Sequence, residues 1–333
     1  MTNKLLFCIF LVALASCGNK SDKVSVDSKL SLDELIQKYP DSIALLNKRA
    51  DLKLSGFQYE AALKDAAHAF RLDSSDVKSR LLYAEALLNK KDLEILDLSM
   101  AQYHFGKVLE KNAKNLRALL GMANIMSIRG DNETAFSLIN KALRINPKYR
   151  DAYVLKGSIY RNEGNLGLAK SSYETAVQQD PKFFGGYLML GSLYESEGNP
   201  ICIEYYTTAR KLQPKNVDVL YSLAYAKHEF GHIAESKSLY RKMAKMDTSY
   251  FEAFFQLGHI KQFDDLDLDS AMYFYSMALD IFPQHIESLH NLGLIYEDKK
   301  QYSNALLSYG KVLKYNPDFQ LTLDRVAAIK NKK

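Results

Sequence analysis

Two kinds of helix-ending residue recur along this chain at one interval. Pro147, Pro181 and Pro214 are spaced by 34 and 33 residues, and Pro283 and Pro317 by 34. The 69-residue gap from Pro214 to Pro283 is two periods, with Thr248 at the middle site. Gly130, Gly164, Gly198 and Gly231 keep the same beat, at 34, 34 and 33. Two independent rulers with a common period mark an internal repeat, a unit that buries its apolar face only by stacking on its neighbours.

Each period holds two helical blocks. In residues 150–183, Tyr153, Gly157 and Tyr160 share one helical face, Gly164-Asn165 breaks the helix, Ala169, Tyr173 and Ala176 mark a second face, and Asp180-Pro181 ends it. Apolar residues three and four apart are the mark of an amphipathic helix. Small Gly157 and Ala169 let two helices approach closely, Gly at the break permits a left-handed turn, and Pro stops the second helix.

This resembles the tetratricopeptide pattern of aromatic, Leu-Gly, Tyr, then Ala, Phe-like and Pro. The last repeat shows it too, with Leu289, Leu292, Gly293, Tyr296, Ala305, Tyr309 and Pro317. The resemblance covers residues 43–319 as eight repeats, starting near Ile43, Val77, Leu116, Arg150, Phe184, Val217, Phe251 and Ile286. It implies an all-α, right-handed superhelical solenoid of stacked helix-turn-helix repeats that binds other proteins and catalyses nothing. The first repeat ends in Asp73-Ser74 rather than Asp-Pro, the fifth is a residue short and the seventh a residue long. The second exceeds the period by about five residues near Lys90–Leu96, placed between its helices. The recurring Asp/Asn-Pro ending disfavours the Sel1-like repeat, the nearest competing solenoid. Residues 31–42 are expected to form an N-terminal capping helix. Residues 320–333 are expected to close the array with Leu323, Val326 and Ile329 inward.

The N-terminus carries a different message. Residues 1–17 read MTNKLLFCIFLVALASC, with Lys4 as the positive start and Leu5 to Ala15 as an apolar core too short to span a bilayer of about 30 Å. Leu14-Ala15-Ser16-Cys17 matches the lipobox of bacterial lipoproteins. That resemblance implies a signal peptide over 1–16, lipidation of the Cys17 thiol, and acylation of the new N-terminus. Acyl chains contribute about 0.8 kcal/mol per buried methylene, so two or three hold firmly. An ordinary secretory signal with a chance cysteine is the alternative. Gly18, where Asp would retain a lipoprotein at the inner membrane, favours the outer membrane. Polar residues 17–30 read as a flexible tether.

The charge of +5 is interspersed along the body, and only Lys330-Asn331-Lys332-Lys333 is a basic cluster. Nucleic-acid binding needs a concentrated basic face, so no nucleic-acid partner is expected. Of three cysteines, Cys8 lies in the leader, Cys17 is the lipid site and Cys202 is alone, filling a position where repeats want a small residue.

In this architecture the first helix of each hairpin lines the concave surface. For the first five repeats its inward positions are mixed: Asn47, Asp51, Leu81, Glu85, Leu120, Asn124, Val154, Ser158, Leu188 and Ser192. From the sixth repeat they turn aromatic, with Tyr221, Tyr225 and His228, then Phe255, His259 and Gln262, then His290. Aromatic side chains supply contact area with few rotors to freeze, so these seven are the candidate partner-binding residues. Their competing role is packing between adjacent repeats. Some family members grip a C-terminal carboxylate with groove cations. The corresponding positions here hold Asn47, Leu81, Leu120, Val154, Leu188, Tyr221, Phe255 and His290, so that clamp is not expected.

Two segments imitate chemical sites. His228-Glu229-Phe230-Gly231-His232 reads as the HExxH of zinc peptidases, but Gly231 falls where the helix should end, which would turn His232 away from His228. Residues 263–270 are acidic, but Ser276 stands where a calcium loop closes with Glu. Asp269 or a neighbour is expected to cap the next helix instead. Neither a metal nor a cofactor is expected. Lipoproteins of similar design serve as envelope assembly factors or hydrolase adaptors. The competing classes are a zinc peptidase through His228 and His232, and a self-assembling structural protein.

Overall fold

The computed structural model describes residues 30–331, which hold eighteen α-helices and no strand. The signal peptide, Cys17 and the tether over 17–30 lie outside the described residues, apart from Leu30. Helix α1 (Leu32–Lys38) is followed by eight helix pairs. These are α2 (Ile43–Ser55) with α3 (Tyr59–Leu72), α4 (Val77–Leu88) with α5 (Ile95–Lys111), α6 (Leu116–Ile128) with α7 (Asn132–Ile145), and α8 (Arg150–Asn162) with α9 (Leu166–Gln179). Then come α10 (Phe184–Ser196) with α11 (Cys202–Leu212), α12 (Val217–Glu229) with α13 (Ile233–Met246), α14 (Phe251–Phe263) with α15 (Leu268–Ile281), and α16 (Ile286–Asp298) with α17 (Tyr302–Tyr315). Helix α18 (Gln320–Lys330) closes the described chain. The fold is an all-α helical repeat, and its described residues fall into two compact units, 30–104 and 105–331.

Local chemistry explains the beat. Asp76, Asn115, Asp131, Asn165, Asn216 and Asp267 each sit at a helix N-cap and accept from the backbone N–H three residues on. Between the paired helices, Gly130, Gly164, Gly198 and Gly231 adopt φ of 82°, 76°, 66° and 80°, the left-handed conformation a side chain disfavours. The corresponding turns of the first, seventh and eighth repeats hold that conformation without glycine, at Phe57, Leu266 and Lys300.

In the first unit, α2 packs on α3 and α3 on α4. Ala50, Ala66 and Leu82 form a small-residue core there. Asn47 is buried and exchanges hydrogen bonds with Ser79 of α4, at 2.9 and 3.1 Å. The α4–α5 connector, residues 89–94, holds the surplus residues of the second repeat. Lys90 pairs with Asp97 at 2.5 Å, and the Lys91 and Glu94 backbone N–H groups donate to Glu60 and Asp97.

In the second unit, each helix packs on the next from α6 to α18. A tyrosine from the second helix lies against a glycine of the first: Tyr173 on Gly157, Tyr206 on Gly191, Tyr275 on Gly258 and Tyr309 on Gly293. A Cβ at any of the four glycines would come within 3.0 Å of the ring. Cys202 is fully buried among Tyr206, Leu220 and Leu223, and burial pushes its thiol up to about 11, so it is an inert packing group. Helix α18 differs from expectation at Leu323, which is exposed. Val326 and Ile329 pack inward as expected, and Thr322, which bonds His290, takes the inward place expected of Leu323.

Candidate functional site

Helices α12 and α14 present their aromatic residues on a common surface. On α12, Tyr221 stacks on Tyr225 at 6.3 Å between centroids. Its ring also meets Tyr240 edge-on at 6.0 Å and Tyr250 at 6.3 Å, and its hydroxyl accepts from Gln256 Nε2 of α14 at 3.0 Å. Burial raises the Tyr221 and Tyr225 hydroxyls above the usual phenol range, so both rings are neutral donors at physiological pH. On α14, Phe255 lies 6.3 Å from His259 and 4.8 Å from His285, and Phe263 packs 4.6 Å from His259 while staying half exposed.

His228 and His259 approach at 5.8 Å between ring centroids, and His228 Nε2 lies 2.9 Å from Asp264 Oδ2. Burial lowers the His259 pKa, with the nearby His228 adding to it, so that ring is neutral. Its Nδ1 is buried and has no hydrogen-bond partner among the described residues.

Five of the seven sequence candidates thus share one surface: Tyr221, Tyr225, His228, Phe255 and His259. The other two are interior. Gln262 is 5% exposed and its Oε1 accepts from the Tyr275 hydroxyl at 2.9 Å. His290 is 8% exposed, bonded through Nδ1 to Thr322 Oγ1 at 2.8 Å and enclosed by Tyr309 and Phe319. A packed neighbour covers each, Tyr275 over Gln262 and Thr322 over His290.

Gln262 belongs to a recurring device. In α10–α11 the Tyr206 hydroxyl donates to Glu195 at 2.5 Å, and in α16–α17 the Tyr309 hydroxyl donates to Glu297 at 2.6 Å. His228 holds the matching place in α12–α13, yet the Tyr240 hydroxyl is buried without a partner.

Sequence reasoning missed Tyr250, Phe263, Asp264 and His285. Tyr250 and His285 are helix N-caps, a position where periodicity says nothing, and His285 reveals itself only through Ser288 three residues on. The imitation sites resolve structurally. His232 is the N-cap of α13, half exposed and 3.6 Å from Glu235. In the acidic loop, Asp267 caps α15, and its hydrogen bond from Ser270 with the Lys261 charge lowers its carboxyl to about 2. Asp265 is held by Lys237 at 2.8 Å and Lys261 at 3.1 Å, and Asp269 pairs with Lys299. Ammonium groups thus balance Asp265, Asp267 and Asp269, while Asp264 pairs with His228.

Comparison with known proteins agrees with this architecture. Tetratricopeptide-repeat family models match residues 151–183 and 286–319. The C-terminal part of a TPR repeat-containing protein from Cytophaga hutchinsonii superposes with a TM-score of 0.59 at 17% identity, over 73% of this chain and 98% of that one. The Cut9-Hcn1 hetero-tetramer of APC/C gives 0.58 at 16%, over 90% of this chain and 58% of that one. Human IFIT1, solved with m7Gppp-AAAA, gives 0.55 at 16%, over 86% and 77%. At these identities the likeness is one of fold. A UDP-N-acetylglucosamine–peptide N-acetylglucosaminyltransferase of Giardia intestinalis is 26% identical over 77 residues, 23% of this chain, which spans only 5% of that enzyme's length.

Proposed function

We propose that this chain, whose repeats and fold are similar to those of tetratricopeptide-repeat proteins, is a lipid-anchored scaffold of the bacterial envelope. It binds a peptide segment of a partner protein across α12 and α14. The observation that carries the binding reading is the aromatic surface of Tyr221, Tyr225, Phe255 and Phe263, supplied by successive first helices. Rings held by their neighbours lose little entropy on binding, and half-exposed Phe263 has apolar area left to bury. Supporting the anchor is the lipobox Leu14-Ala15-Ser16-Cys17 behind its short apolar leader. A second acyl chain on Cys17 would convert marginal membrane binding into stable residence, and Gly18 favours the outer membrane.

Crosslinked pull-down from detergent-solubilised envelopes tests the surface. Defined partners captured by the native chain should vanish with a Tyr225→Ala/Phe255→Ala double variant, each ring contributing about 1 kcal/mol or more. The same partners persisting with a folded variant would move binding off this surface. Labelled palmitate incorporated by the native chain and lost in Cys17→Ala tests the anchor.

A further inference from the structure

We propose that His228, His259 and Asp264 form a binding site for one first-row transition-metal ion of zinc's kind, which clips α12 of one repeat to α14 of the next. One donor atom from each residue lies within 4.8 Å of the other two. A tetrahedral ion with ligands at about 2.0–2.2 Å sets its donors about 3.4 Å apart. The His228–Asp264 pair at 2.9 Å is already inside that spacing. Ring movements on the order of 1 Å close the rest.

Three further observations support a site here rather than a chance meeting of side chains. The His259 Nδ1 is a buried nitrogen with no hydrogen-bond partner among the described residues, which leaves its desolvation cost without an offset there. His228 stands where Glu195, Gln262 and Glu297 accept a tyrosine hydroxyl, yet it is turned to Asp264 and Tyr240 is left unpartnered. This hairpin therefore lacks a bond that three others keep, and its residue is committed between repeats. Finally, Lys237 and Lys261 engage Asp265 and not Asp264, which leaves the Asp264 carboxylate to the two imidazoles.

The donor chemistry selects the ion. Two imidazoles and one carboxylate suit zinc, cobalt, nickel or ferrous iron, whereas magnesium and calcium ask for an all-oxygen shell. Three protein donors leave a coordination position for water. The site shares only His228 with the HExxH segment: His232 is half exposed, caps α13 and pairs with Glu235.

The test uses the full chain in detergent without a histidine tag, stripped with chelator and dialysed against zinc chloride. We expect one zinc per chain after gel filtration, visible cobalt(II) absorption on substitution, and a raised melting temperature with metal. His259→Gln and Asp264→Asn should each weaken binding at least tenfold, and His232→Gln should leave it unchanged. Asp264 is partly exposed, so its variant decides the matter if His259→Gln fails to fold. Failure to retain zinc, or zinc retained at native affinity by Asp264→Asn, would overturn the site. Neither result touches the scaffold reading, which is tested through the aromatic variants.

Discussion

The first and eighth hairpins join two helices with opposite materials. In α2–α3 the core is aliphatic, with Leu46 and Ala50 of α2 and Ala66 and Ala69 of α3, and Leu82 of α4 closes over the alanines. The work of alignment falls to Asp65, 5% exposed, which takes the Arg49 guanidinium at 2.7 and 2.8 Å and the Lys53 ammonium at 2.7 Å. In α16–α17 the contact is a whole phenol ring, Tyr309 against Gly293, whose hydroxyl reaches Glu297. Arg325 of α18 holds that carboxylate with bonds of 2.7 and 2.8 Å. Both hairpins thus hold a carboxylate in an arginine fork, from Arg49 of the same hairpin in the first and from Arg325 of α18 in the eighth. One sets it beside a thin core, and the other connects it to a large buried ring. The repeat specifies helix separation, and either volume or charge can enforce it.

Deleting the ring should sharpen this contrast most. Tyr309→Ala should cost about 3–5 kcal/mol, since it opens a large cavity, while Ala66→Gly in the first hairpin should cost only about 1 kcal/mol. Urea denaturation read by hydrogen exchange, which localises the loss to each hairpin, checks both. Equal losses would break the comparison.

Next in size is the charge itself. Asp65→Ala should cost about 1–3 kcal/mol, because Arg49 and Lys53 are each 23% exposed and partly rehydrate. Burial alone would raise the Asp65 carboxyl, but hydrogen bonds from Arg49 and Lys53 outweigh it and hold the group below its usual range. The stabilisation is then complete above about pH 4 and disappears as pH falls through the lower folded value. An acid titration of stability should lose this component in the variant.

A smaller effect is expected at the interhelical turns. Leu266 holds a left-handed φ of 55° and is 75% exposed, so Leu266→Gly should raise stability by about 1 kcal/mol. Gly164→Ala, at φ 76°, should lower it by a similar amount. Melting temperatures of the two variants should move in opposite directions.

The gentlest probe is His290. Burial lowers its pKa, Arg325 adds to the shift and Glu297 opposes it, while Thr322, Tyr309 and Phe319 enclose the ring without titrating near neutrality. Its contribution is present above about pH 6.5 and is lost as pH falls through the lower folded value, because the unfolded chain takes up the proton first. His290→Gln should flatten the stability profile over that window, and an unchanged profile would show that the ring is open to water.

The beat of the repeat was legible because it depends on local rules: caps, breakers and helical period act within a few residues. The glycine ruler stops at Gly231 only because Leu266 and Lys300 bear the left-handed turn without it. Depth was less legible than face. Periodicity grouped Gln262 and His290 with the partner-facing residues, but contacts with Tyr275 and Thr322 bury them. Leu323 failed for a related reason, since at the first turn of α18 the contact with His290 of α16 buries Thr322 instead, while Val326 and Ile329 pack as expected. The meeting of His228 with Asp264 has no sequence signature at all, because 36 positions separate them and only stacking brings them together.

The connector between α4 and α5 shows where such a chain can lengthen. Lys90, Lys91 and Glu94 tie residues 89–94 to Asp97 and Glu60, while Asp92 between these ties is exposed. Closing a longer loop between fixed ends costs only about 0.6 kcal/mol per doubling of length. The six-residue connector is therefore an insertion point, where a reporter peptide or an additional module can be spliced in without rewriting the hairpins on either side.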